Sequence, residues 1–231
     1  MSLINLASLL KRFPVFSNID EPTLESIAVA SIKLEVARLN TLTQHYSPNK
    51  YAFFVITGHV GTVTHTDCGK RFVVQAYGPG DLTDVGDLFI DRPCTQEVMS
   101  LVRSTVIALP KNKLKEVMLS KKSILMDFAL SATRQARQQQ TDYISFGQLT
   151  TTTRIKNYLV EKSHVVADGT LVYDKQVGYA TIGQILGCSR EMVQNVVRKL
   201  KEADYLIETK SSIYLSDKLT VETDIGNLFS R

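Results

Sequence analysis

The sequence predicts an α+β protein in which an antiparallel β barrel or sandwich and a small helical unit are joined by one long helix. Three observations carry this reading: β-type segments at near-regular spacing up to about Leu109, a seven-residue stripe that starts near Leu125, and two short amphipathic helices flanking Gly187-Cys-Ser189. At 231 residues the chain is long for one small module and short for three. Its 44% hydrophobic and 22% charged residues are those of an ordinary globular protein. The longest apolar run, Tyr51 to Ile56, has six residues, where a membrane span needs about 20, so no membrane partner is expected. Near the N-terminus the charges of Lys11 and Arg12 follow the apolar residues, the reverse of a secretory signal, and a cytoplasmic location is expected. Cys68, Cys94 and Cys188 are widely separated and odd in number, which argues against a disulfide framework and against a thiolate metal site.

Leu3, Ile4, Leu6, Leu9 and Leu10 have helical spacing, and Phe13-Pro14 closes that helix because the residue before proline leaves the α region. A second helix is predicted from about Pro22 to Lys33, with Asp20 or Glu21 near its start and Leu24, Ile27 and Ala28 inward. Strands follow at Ala52–Thr57, Val60–His65, Arg71–Tyr77, Val98–Leu101 and Thr105–Leu109, separated by Gly58, Asp67-Cys-Gly69, Gly78-Pro-Gly-Asp81 and Arg92-Pro93. After Pro110 the helical period returns. Leu125, Ala129, Ala132, Ala136, Gln139, Tyr143 and Phe146 step by four and three, an a/d stripe that fits either packing on its own domain or a two-stranded parallel coiled coil. The dimer is the better fit: small alanines permit close helix approach, and Arg134, Arg137, Gln138 and Gln140 form a wet flank. Gly147 to Thr153, with four consecutive threonines, breaks the helix, offers hydroxyl caps for the next and forms a candidate hinge.

The last third reads as a helix over about Thr152–Ser163, β segments near Thr170–Tyr173, a helix at Ala180–Leu186, a turn, a helix at Arg190–Glu202 and a hairpin, Leu206–Thr209 with Ser212–Leu215. This is a winged helix-turn-helix layout. Ile182, Ile185 and Leu186 face inward on its first helix, Gly187 supplies the left-handed turn residue and Ser189 caps the second helix. Met192, Val193, Val196, Val197 and Leu200 form the inner stripe of that helix, leaving Arg190, Glu191, Gln194, Asn195 and Arg198 outside. The net charge of the whole chain is only +4, yet Cys188 to Lys201 holds four bases against one acid. A helix laid in the major groove reads bases with its N-terminal residues, so Arg190 suits a guanine, Glu191 a cytosine amino group, and Gln194 or Asn195 an adenine edge. Ser189, Arg198 and Lys199 suit phosphates. Double-stranded DNA is the partner this implies.

At these residues the sequence resembles the CRP/FNR superfamily of bacterial transcription regulators. Gly187-Cys-Ser-Arg-Glu-Met-Val resembles the recognition helix of its catabolite activator branch. The likeness extends through Pro14-Val-Phe, Tyr51-Ala-Phe-Phe-Val-Ile with Gly58, Gly78-Pro-Gly-Asp81, the long helix and Arg154-Ile155. It implies a β-roll (jelly-roll, cyclic-nucleotide-binding-like) sensor domain with flanking helices at 1–121, a dimerisation helix at 122–148 and a winged helix-turn-helix DNA-binding domain at 149–231. It further implies a homodimer on a palindromic TGTGA-like site, with RNA polymerase as a further partner and no enzymatic activity. One turn after Glu191, that branch has another arginine where this chain has Asn195.

The family's phosphate-binding cassette places a Gly-Glu pair and an Arg-Ser pair after Gly-Pro-Gly-Asp, so that amides and a guanidinium neutralise the phosphate while a carboxylate holds the ribose. Aligned without gaps, those positions fall on Asp84-Val85 and Cys94-Thr95. A local gap brings Asp87 and Arg92 into these roles, but Asp81, Asp84, Asp87 and Asp91 crowd four carboxylates into eleven residues, the wrong sign for an anion. Asp87, Arg92, Cys94, Thr95, Gln139 and Gln140 are the candidate effector residues. The expectation is a ligand-independent regulator or an effector other than cAMP; the alternative is a cyclic-nucleotide or cyclic-dinucleotide response through a non-standard pocket. Gln139 and Gln140 fall near the family's base-contacting positions, although a polar seam residue and a solvated one account for them more simply. No cofactor is expected: no cysteine precedes Cys68 to ligate an iron–sulfur cluster, and His45, His59, His65 and His164 are isolated as haem or cupin-type metal ligands. A protein-interaction module or a cupin-like enzyme is a more distant alternative.

Overall fold

A computed structural model describes residues 3–11, 13–43, 50–65, 71–90 and 96–229. The chain forms two compact units, 1–64 with 74–140, and 65–73 with 141–231.

In the first unit, α1 (Leu3–Lys11) and α2 (Glu21–Ala30) precede seven strands: β1 (Ile32–Val36), β2 (Thr41–Thr43), β3 (Tyr51–Thr57), β4 (Val60–His65), β5 (Arg71–Tyr77), β6 (Glu97–Ser100) and β7 (Ser104–Pro110). They form two sheets, β1-β7-β3 and β2-β6-β4-β5, the latter two strands reaching the limit of the unit. The second helix ends three residues earlier than its composition predicts, because Ser31 is extended and Ile32 to Val36 pairs antiparallel with Ala108 to Ser104. Phe54 on β3 and Phe128 each meet Phe16 edge to face, with centroids 5.9 and 6.0 Å apart. Around them Leu10, Leu24, Ile27, Ile107, Leu109, Leu114 and Ile124 are completely buried, which holds the helices on the β1-β7-β3 sheet.

From Lys111 the chain is helical: α3 (Lys111–Ser120), then α4 (Lys122–Gln148), 27 residues long. In the second unit, α5 (Thr151–Glu161) starts at Thr150, whose hydroxyl accepts from the Thr153 N–H at 3.2 Å. The short strands β8 (His164–Val165) and β9 (Leu171–Asp174), the helices α6 (Tyr179–Leu186) and α7 (Arg190–Glu202), and the hairpin β10 (Leu206–Glu208) with β11 (Ser212–Leu215) complete it. All four strands form one sheet, β10-β11-β9-β8. Ile155, Leu159, Ile182, Val193, Val196, Val197, Leu200 and Ile213 make its core. Among the described residues no helix is long and apolar enough to cross a membrane.

Candidate functional site

The turn between α6 and α7 is built for a fixed helix angle. Gly187 has φ +63°, and its N–H closes α6 on the Gly183 carbonyl. A Cβ on Gly183 would stand 2.7 Å from the Cys188 carbonyl, so only glycine lets the turn pack this closely. Ser189 then caps α7, its hydroxyl accepting from the Met192 N–H at 3.1 Å. Arg154 fixes the other side: its guanidinium donates to the carbonyls of Phe146, Leu149 and Leu186 and to the Thr151 hydroxyl, and lies 4.8 Å above the Phe146 ring. Burial pushes the Cys188 thiol up, with Arg154 opposing.

With Val193, Val196, Val197 and Leu200 buried, Arg190, Glu191, Gln194 and Arg198 are all exposed and Asn195 is half-buried beside them. Arg190 and Gln194 make no side-chain hydrogen bond among the described residues. Glu191 is held below the ordinary carboxylate range by its own backbone N–H and by the Ser189 hydroxyl, so it is an anionic acceptor at neutral pH. Two expectations fail here. Met192, at the edge of the outer face, is 39% exposed rather than inward. Lys199 is no free phosphate ligand: its ammonium donates to the Leu228 carbonyl at 2.6 Å and sits 4.5 Å from the Phe229 ring. The cause is the segment after the hairpin, which packs Leu219 and Ile225 into the core and whose Val221 and Thr223 carbonyls accept from the buried Lys156 ammonium, both at 2.6 Å. Only the apolar residues between 219 and 229 hinted at this strap in the sequence.

Among the described residues, the candidate effector residues Asp87, Gln139 and Gln140 are not brought together. Arg92, Cys94 and Thr95 lie outside the described residues. Asp87 turns to Lys111, 3.5 Å away, and Gln140 is exposed. Gln139 faces inward and donates to Gln75 Oε1. The same oxygen lies 3.0 Å from the Tyr77 hydroxyl, which is also 3.0 Å from Asp84 Oδ1. One turn earlier on α4, Gln135 accepts from the Val85 N–H and donates to the Leu82 carbonyl. Gln75 and Tyr77 are polar residues two apart on one strand face, the period that marks an inward polar pair, and the sequence reading passed over it.

The Tyr77 hydroxyl has one hydrogen and cannot donate to both neighbours. If Asp84 is protonated, it donates to Tyr77 and Tyr77 donates to Gln75, so every contact is satisfied. Consistently, burial, with the Asp87 charge next in size, pushes the Asp84 carboxyl up to about 6, while its Oδ2 has no partner among the described residues. A raised carboxyl keeps its proton in the folded state where the unfolded chain has lost it, so this contribution is fully present below about pH 4 and is lost as pH rises through about 6. Asp84→Asn is therefore expected to stabilise the first unit by about 2 to 3 kcal/mol at pH 7.5 and to change little at pH 4. Urea unfolding at the two pH values measures this; an equal effect at both contradicts it.

The face of α4 differs from the predicted stripe. Ile124 and Phe128 are buried in the first unit, Leu125 and Ala132 pack partly against that core, and Phe146 packs on Phe72 at 5.7 Å in the second unit. The stripe named from sequence is thus divided: Leu125, Ala132, Gln139 and Phe146 turn toward the fold, whereas Ala129 is only partly covered and Ala136 and Tyr143 are exposed. The open apolar side chains are Met126, Leu130, Tyr143 and Ile144, at 60, 47, 61 and 50% exposure. With Thr133, Arg137 and Gln140, residues 126, 130, 133, 137, 140 and 144 form a second four–three stripe, displaced by one residue.

Residues 34–121 match the family model of the cyclic nucleotide-binding domain. Among curated proteins none matches by sequence. Solved structures do. FixK2 from Bradyrhizobium japonicum superposes with a TM-score of 0.72 at 16% identity, over 87% of this chain and 98% of that one. The c-di-GMP responsive global regulator CLP from Xanthomonas campestris gives 0.66 at 18%, over 85% and 99%. A transcriptional regulator of the CRP family from Thermus thermophilus gives 0.61 at 18%, over 84% and 94%. The chain thus has the fold of the CRP/FNR-family transcription regulators, with the cyclic nucleotide-binding domain at residues 34–121.

Proposed function

We propose that this protein is a cytoplasmic, homodimeric, sequence-specific DNA-binding regulator of transcription that acts with RNA polymerase. The observation that carries the reading is α7 itself: a capped helix on a buried apolar stripe, presenting Arg190, Glu191 and Gln194 to solvent. These are the groups that read a guanine, a cytosine and an adenine edge in the major groove; a dimer would place them on a two-fold symmetric site with half-sites about one helical turn apart, and the resemblance of this helix to that of the catabolite activator branch implies TGTGA-like half-sites. The exposed stripe through Met126, Leu130 and Ile144, with Tyr143 beside it, supplies the seam between copies. The roles of three residues change from those their types alone suggest: Lys199 is engaged by the C-terminal strap, Asp87 by Lys111 and Gln139 by Gln75.

The β-roll interior supports regulation without cAMP bound by the usual contacts. Asp84 stands at the first of the Gly-Glu positions of the ungapped alignment, and the chain's own Gln75, Tyr77 and Gln139 occupy its hydrogen bonds or those of its partners. A carboxyl group there opposes a phosphate.

Anisotropy titrations of a palindromic duplex test the proposal. Arg190→Ala is expected to weaken specific binding by about 1 to 3 kcal/mol and to remove the preference for one guanine, leaving the salt dependence of non-specific binding nearly intact. Equal affinity of wild type and variant for every duplex would overturn it.

A further inference from the structure

Strand β1 lies at the edge of its sheet. The order there is β1-β7-β3, so Ile32 to Val36 pairs with Ala108 to Ser104 on one side and with no strand of the described residues on the other. Alternate residues of an edge strand turn their N–H and C=O groups outward, where a further strand can take them. The sequence of β1 is Ile-Lys-Leu-Glu-Val. Lys33 and Glu35 are exposed on the face that carries Ile107 and Thr105 of β7. Ile32, Leu34 and Val36 stand on the other face, where Leu34 and Val36 pack against the cluster of Val106 and Ala108 while Ile32 stays 49% exposed. Glu35 makes a loose ion pair with Arg103, 3.9 Å away, and both side chains remain mostly in solvent.

We propose that the open edge of β1 is a self-complementary docking surface for β1 of a second copy of this chain, paired antiparallel about Leu34. In that register Leu34 meets its own counterpart, Ile32 meets Val36 and Lys33 meets Glu35. Each apolar residue then faces an apolar one and each charge its opposite, and the two-fold symmetry makes the Lys33 to Glu35 pair twice. Centring the pair on Lys33 or on Glu35 opposes like charges, and slipping it by one residue sets the charged face against the apolar one. A lysine on an edge ordinarily guards it against pairing; with Glu35 two residues on, the charges disfavour these registers and favour the one about Leu34. Five residues per copy bury far less than the ~1,200 Å² of a standard interface, so the contact is weak in solution and secondary to the seam on α4. It suits dimers already held side by side, for which effective concentration supplies the rest. The inference does not depend on what α7 binds.

Sedimentation equilibrium of the full-length protein, carried to about 0.5 mM so that weak association is populated, tests this. The samples are wild type, Lys33→Glu, Glu35→Lys, an equimolar mixture of these two variants, and the double swap that carries both substitutions in one chain. Wild type is expected to show a weak association step above that of the dimer. Each single reversal opposes like charges twice and is expected to weaken that step about tenfold or more. The mixture and the double swap set opposite charges together again at both pairs and are expected to recover it. Lys33 and Glu35 are exposed, and thermal unfolding of each variant checks that the fold is retained. Absence of the weak step in wild type, single reversals that associate like wild type, or a mixture and a double swap that stay dissociated would each overturn the inference while leaving the DNA-binding reading standing.

Discussion

Arg154→Ala is expected to destabilise the second unit by about 2 to 4 kcal/mol. The side chain makes four hydrogen bonds and one ring contact, and three of its acceptors, the Phe146, Leu149 and Leu186 carbonyls, belong to the end of α4, the connection to α5 and the end of α6. Helix C-termini leave their last carbonyls without intrahelical partners. A single planar fork satisfies several of them at once, and truncation leaves them to find water in a partly buried place. Arg154→Lys should recover less than half of the loss, because an ammonium cannot span the same acceptors as a guanidinium. Urea unfolding followed by the fluorescence of a probe on the second unit measures it. Wild-type stability for the alanine variant would show that the fork is ornamental.

If the proposed dimer forms through this stripe, Leu130→Glu combined with Ile144→Glu is expected to leave the protein monomeric and to weaken binding to a palindromic duplex by about 100-fold or more, since each half-site then binds without the effective concentration supplied by its twin. Both residues are about half exposed, so neither substitution opens a hole in the unit that carries it. Across a two-fold seam each glutamate meets another acid near its own copy, a like-charge contact without compensation. Sedimentation equilibrium and operator titration on the same samples check both parts. A variant that remains dimeric would move the seam away from this stripe.

The two faces of α4 illustrate what sequence pattern alone leaves open. The stripe through Leu125, Ala132 and Phe146 and the stripe through Met126, Leu130 and Ile144 have the same four–three spacing and lie about 100° apart on one helix. Periodicity cannot choose between them. Packing separates them, because burying Ile124 and Phe128 against Phe16 and its neighbours turns Leu125 and Ala132 of the first stripe toward the core and leaves Met126 and Leu130 of the second exposed. Helix α7 was legible to the residue, since Ser189 marks its cap and Val193, Val196, Val197 and Leu200 its buried side. Strands β3, β4 and β5 were legible from their β-branched and aromatic runs. By contrast β1, Ile-Lys-Leu-Glu-Val, is largely uncovered and owes its existence to pairing with β7, a partner about 70 residues away that local propensity does not register. Lys199 looked like a phosphate ligand for a similar reason: the carbonyl that captures it, on Leu228, arrives from far along the chain. The candidate site was readable where local helix geometry sets it, and misread where distant segments decide which side chains stay free.

The most direct measurement of the central claim is selection of binding sites by the purified full-length protein from a pool of random duplexes. The expected result is enrichment of a two-fold symmetric sequence with half-site centres about one helical turn, roughly 10 base pairs, apart, and with a guanine in each half whose selection disappears with Arg190→Ala. Recovery of duplexes without a common sequence, or of the same sequence by wild type and Arg190→Ala, would contradict the assignment of α7 as a base-reading helix.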